Sequence, residues 1–123
     1  MGEIATSKRQ ITLYYNPESN IAEKTLAFAV AQGLPILEID IIKNPPTGTQ
    51  LGELSDRLNL KIKDLVNLEH GLCKSISEES EFSSVDWIKM IRKNPEIMIQ
   101  PIALHGDKTV IVKIPTDILR LGS

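Results

Sequence analysis

The stretch Ile11-Thr12-Leu13-Tyr14-Tyr15-Asn16-Pro17-Glu18-Ser19, followed by Asn20 to Gly33 and then Pro35-Ile36-Leu37-Glu38-Ile39-Asp40-Ile41-Ile42, decides the fold. Five β formers stop at Asn16-Pro17, so Ile11–Tyr15 is predicted to be a strand. Ser19 has the side chain of a helix N-cap, and Gly33 provides a C-terminal stop, so a helix is expected to run to about Gln32. Ala22, Leu26, Ala29 and Val30 form its apolar face. The run from Pro35 to Ile42 is nearly continuous in aliphatic residues, as in a strand buried on both faces of a sheet. Strand, helix and strand within about thirty residues form a βαβ unit with a parallel strand pair.

Further along, Asn44-Pro45-Pro46 interrupts the chain. Thr47 and Gln50 have capping-box spacing, and Leu51, Leu54 and Leu58 continue as a helix stripe. Lys61 to Leu68 is a second, short helix candidate, and His70 to Glu81 is polar and loop-like. Ser83 or Ser84 caps another helix to about Lys93, with Val85, Ile88 and Ile91 spaced for burial. Trp87 and Met90 on it are assigned to the core, and Lys89, Arg92 and Lys93 to its C-terminal charge balance. The last third changes period. Ile102–His105 and Thr109–Val112 flank Gly106-Asp107 as a β-hairpin, and Pro115 starts a short final helix. The predicted class is therefore α/β, with a mixed sheet of about four strands flanked by helices.

With 123 residues, 41% hydrophobic and 24% charged, the chain suits one domain over about residues 10–123, after a tail at 1–9. A net charge of −2 argues against a role in holding nucleic-acid phosphates directly. There is no long apolar run to span a bilayer and no secretory leader, so a cytoplasmic protein is expected. A single cysteine, Cys73, excludes an intramolecular disulfide and a two-cysteine redox centre within one chain. His70 with Cys73 is too small a set for a metal site, so neither metal nor cofactor is expected.

Three segments carry a resemblance. Ile11 to Pro17 with its capped helix, Lys43-Asn44-Pro45-Pro46-Thr47, and Asn94-Pro95 with Ile99-Gln100-Pro101-Ile102 resemble, in order and spacing, segments of the ArsC/Spx family. These are bacterial, arsenate reductase-like proteins with a thioredoxin-type fold and a helical insertion, and the match runs from about Ile11 to Leu121. The resemblance implies a cis peptide bond before Pro101. It also implies an active-site cysteine at the start of the first helix and an arginine four residues later. Those two positions are occupied here by Ser19 and Glu23. The arginine before the cis proline is replaced by Gln100, and a further family arginine falls near Asn67. Asn20, Asn67, Gln100 and Pro101 would then line a remnant pocket.

A serine hydroxyl cannot cycle between thiol and disulfide, and it needs an adjacent base before it attacks anything. Glu18 and Glu23 supply negative charge at a helix N-terminus that would otherwise attract an anion. The expectation is a family member without arsenate reductase activity, acting as a non-catalytic binding or regulatory module. The alternative is a thiol-dependent oxidoreductase, linked to glutathione or glutaredoxin, that uses Cys73 or a partner thiol. The Spx branch of the family binds RNA polymerase, so the resemblance implies a protein partner from the transcription machinery, or else a thiol redox protein.

Overall fold

The computed structural model describes residues 10–67, 69–71 and 82–121. The expected tail at 1–9 and most of the polar stretch 70–81, including Cys73, lie outside the described residues. The elements are β1 (Ile11–Tyr15), α1 (Asn20–Ala31), β2 (Ile36–Asp40), α2 (Gly48–Leu58), a 3-10 turn at Ile62–Leu65, α3 (Ser84–Lys93), a 3-10 turn at Pro95–Ile97, β3 (Ile102–His105), β4 (Lys108–Ile111) and a closing 3-10 segment at Pro115–Leu121. Four strands form one mixed sheet in the order β2-β1-β3-β4. β1 pairs parallel with β2 and antiparallel with β3, and β3 with β4 form the hairpin.

Local chemistry accounts for the boundaries. Ser19 Oγ accepts the Ala22 N–H at 3.2 Å and starts α1. Gly33 ends it at φ 68°, in the left-handed region where a residue without Cβ is unstrained. Thr47 and Gln50 close a reciprocal capping box at α2, and Ser83 and Asp86 close another at α3. Gly106, at φ 62°, turns the hairpin.

The sheet pleat separates two cores. Tyr14, Ile102 and Leu104 face Leu51 and Leu54 of α2, Ile62 and Leu65 of the first 3-10 turn, and Ile91 of α3. Ile11, Leu13 and Ala103 face Ala29 of α1 and Ile118 and Leu121 of the closing segment. Period-two alternation along β1 and β3 thus feeds both layers. Trp87 and Met90 are partly buried against the first core, with Trp87 also 5.0 Å from the Phe82 ring between centroids.

Three expectations about burial need correction. β2 is an edge strand, not a strand buried on both faces, and Leu37 is 41% exposed. Its aliphatic run extends past the strand: Ile41 is fully buried beyond its end, and Ile42 is exposed. Val30 is 80% exposed because α1 turns Ala22, Thr25 and Ala29 inward instead. Thr25 is tolerated inside because its hydroxyl donates to the Ile21 carbonyl at 2.6 Å. Val85 is 58% exposed, and α3 rests on Ile91 with Ile88 partly buried. Where helices were expected to start at Lys61 and Pro115, the chain forms 3-10 segments at Ile62–Leu65 and Pro115–Leu121.

Candidate functional site

A cleft of about 550 Å³ opens between the start of α1, the two inner 3-10 turns and the end of β4. Ile21 reaches it from the first turn of α1, Asp64 and Asn67 from the connection after α2, Glu96 and Gln100 from the segment before β3, and Lys113 from the segment after β4. Leu60, Met98, Ile99 and Ile111 supply apolar wall. Main-chain bonds hold the walls together. The Asn67 N–H donates to the Ile97 carbonyl at 2.7 Å, and the Ile99 N–H donates to the Leu65 carbonyl at 2.7 Å. Pro101 is buried after a cis Gln100–Pro101 bond, and its carbonyl accepts the Val112 N–H at 2.8 Å.

The loop before α1 is fastened to this wall. Gln100 Oε1 accepts the Asn16 N–H at 3.1 Å. The Asn16 carbonyl accepts the Ser19 N–H at 2.9 Å, and Asn16 Oδ1 accepts the Glu18 N–H at 2.9 Å. The carbonyl of the Gln100 amide is thereby committed, and its Nε2 remains as a donor beside the cleft. Asn67 uses its Oδ1 locally, accepting the Glu69 N–H at 3.0 Å.

The charge of the cleft comes from two carboxylates, Asp64 and Glu96, and one ammonium, Lys113. Asp64 Oδ2 accepts the Lys61 N–H at 3.1 Å, which fixes one side of that carboxylate. The Lys113 backbone is positioned by Asp117, whose Oδ2 accepts the N–H groups of Lys113 at 2.8 Å and Ile114 at 3.1 Å. Those two hydrogen bonds hold the Asp117 carboxyl below the ordinary aspartate range, with Arg120 and Lys113 adding smaller attractions. Neither described histidine, His70 or His105, lines the cleft. Among the described residues no group of three or more His, Cys, Asp or Glu side chains could hold a metal ion, and no helix is long and apolar enough to cross a membrane.

No family model matches the chain. Over 114 residues it is 24% identical to the arsenate reductase of Haemophilus influenzae, across 90% of this chain and 97% of that protein. It is 24% identical over 95 residues to the global transcriptional regulator Spx 2 of Lactococcus lactis, across 76% of this chain and 72% of that protein. The solved arsenate reductase from Vibrio cholerae superposes with a TM-score of 0.83 at 20% identity, covering 94% of this chain and 99% of that one. In sequence and in fold the chain is similar to proteins of the ArsC/Spx family.

In this ArsC-like chain the structure brings Asn67 and Gln100 to one cleft, and the buried Pro101 follows Gln100 without lining it. Ser19 and Asn20 stand at the N-terminus of α1, next to Ile21 of the lining, and Glu23 lies exposed in the first turn. Ser19, Asn20 and Glu23 do not themselves line the cleft. Cys73 lies outside the described residues, so its distance from the cleft is not part of this geometry. Asp64 and Glu96 were not singled out from the sequence. Their signal there is faint, since each is one acid beside a polar turn, and only the fold brings both to the cleft.

Proposed function

We propose that this chain is an arsenate reductase-like scaffold without arsenate reductase activity, and that it works as a non-catalytic binding or regulatory module. The observation that carries this reading is the state of Ser19. Its hydroxyl oxygen caps α1 by accepting the Ala22 N–H at 3.2 Å. That is a structural role for a side chain the resemblance aligns with the family's nucleophilic cysteine. Nucleophilic attack by a serine requires a base within hydrogen-bond reach, and no base bonded to Ser19 is present among the described residues. Reduction of an oxyanion requires a group that gives up electrons, which a hydroxyl does not do.

The electrostatics support the same reading. Arginine offers a rigid fork of charged donors suited to oxyanions, whereas Gln100 is neutral and spends its carbonyl on Asn16. Glu23 places a negative charge on the first turn of α1. In the cleft, two carboxylates outnumber the single Lys113 ammonium. An incoming oxyanion meets repulsion where a reductase needs attraction. A partner protein is the ligand class favoured here, in line with the regulator named among the relatives.

Anion titration tests the proposal. Wild-type protein is expected to show no saturable binding of arsenate or sulfate. The triple variant Ser19→Cys, Glu23→Arg, Gln100→Arg is expected to gain it, because the three substitutions supply the thiol and the cationic donors that the resemblance implies for such a site. Tight arsenate binding by the wild type contradicts the proposal. Absence of binding in a folded triple variant contradicts the placement of the site.

A further inference from the structure

Among the described residues, β2 carries a set of main-chain groups without hydrogen-bond partners. The Ile11 N–H donates to the Pro35 carbonyl and the Ile41 N–H donates to the Tyr15 carbonyl, both at 3.0 Å. In a parallel ladder alternate residues face the partner strand. Pro35, Leu37, Ile39 and Ile41 therefore turn their main-chain groups toward β1, and Ile36, Glu38 and Asp40 turn theirs outward. The Asp40 carbonyl is taken by the Asn44 N–H at 2.8 Å. The other outward groups have no partner among the described residues, because β2 is the end of the sheet.

The side chains on this edge have a clear charge pattern. Glu38 and Asp40 share one face of β2, while Leu37 and Ile39 occupy the other. Glu38 is exposed and held by the Tyr15 hydroxyl, which donates to Glu38 Oε1 at 2.9 Å and leaves Oε2 unbound. The nearest base along the strand direction is Lys43, beyond its end.

We propose that the β2 edge is a docking site for an extended basic segment of a partner protein, which adds as a fifth strand and alternates basic with apolar side chains. The main-chain groups of Ile36 and Glu38 supply the pairing, as in other strand-addition complexes. Basic side chains fall opposite Glu38 and Asp40, and apolar ones cover Leu37 and Ile39. A second copy of this chain is the poorer occupant. Antiparallel self-pairing centred on Glu38 sets that carboxylate against its own copy, and like charges directly opposite are destabilising. β2 contributes no residue to the cleft, so this inference stands apart from the roles given to Ser19 and Glu23.

The test is NMR mapping of the full chain against two probes, acetyl-Lys-Val-Lys-Val-Lys-amide and acetyl-Glu-Val-Glu-Val-Glu-amide. The basic peptide is expected to shift and protect the amides of Ile36, Glu38 and Asp40, with little effect from the acidic one. In Glu38→Lys the basic peptide should bind roughly threefold to tenfold more weakly and the acidic one more tightly. Charges on an otherwise unused edge also serve to repel strands. No perturbation of the β2 amides by the basic peptide would assign Glu38 and Asp40 that role and overturn the proposal. Perturbation confined to the Asn67–Gln100 cleft, or equal response to both peptides, would overturn it as well.

Discussion

At the start of α1 a single hydroxyl satisfies one of the four N–H groups that a helix leaves open. Replacing Ser19 with Ala should therefore cost about 1 kcal/mol of stability, and Ser19→Asp should retain most of it, as read from denaturant midpoints. Thr12 presents the opposite case. It is 1% exposed, and its Oγ1 has no hydrogen-bond partner among the described residues. Thr12→Val keeps the shape and removes the orphaned hydroxyl, so it should raise stability by about 1 kcal/mol in the same experiment. Ser19 was legible as a cap because polarity, position and the following helix pattern agree. Thr12 was not, because its β-branched shape fits the strand and nothing nearby in sequence reveals which pleat face is dry.

At the scale of the elements, spacing alone was a sound guide to where helices start and an uneven one to which face they bury. The apolar residues of α3 include Val85 and Ile91, which differ completely in burial. Ile91→Ala should cost about 2–5 kcal/mol by opening a cavity under the sheet, whereas Val85→Ala should stay within about 0.5 kcal/mol. β2 shows the same limit. A continuous aliphatic run suits a central parallel strand, but strand order depends on pairings distant in sequence, and β3 took the place beside β1. The closing 3-10 segment adds a pH dependence. Asp117 is held below its ordinary value of 3.8 by the N–H groups of Lys113 and Ile114, so folding favours its ionised form. That stability is present above the ordinary value and is lost as pH falls through the depressed one. Asp117→Asn should accordingly weaken the acid limb of a thermal-stability profile, and an unchanged limb would mean that Asp117 does not couple to folding.

Across the whole molecule, the fold was the most legible feature because strand, cap, turn and hairpin signals all point to one arrangement. The cleft was half legible. Of the four residues the resemblance implied, Asn67 and Gln100 line the cleft and Asn20 and Pro101 do not, whereas the acids Asp64 and Glu96 appear only once the 3-10 turns at Ile62–Leu65 and Pro95–Ile97 bring their loops to it. The central proposal is that this arsenate reductase-like scaffold does not carry out arsenate reduction. The measurement that reaches it most directly is arsenate turnover by the purified chain, with glutathione, glutaredoxin or thioredoxin as reductant and Cys73→Ala run alongside. The account predicts no turnover from either protein with any reductant. Turnover by the wild type that disappears in Cys73→Ala would contradict it, and would assign the redox chemistry to Cys73.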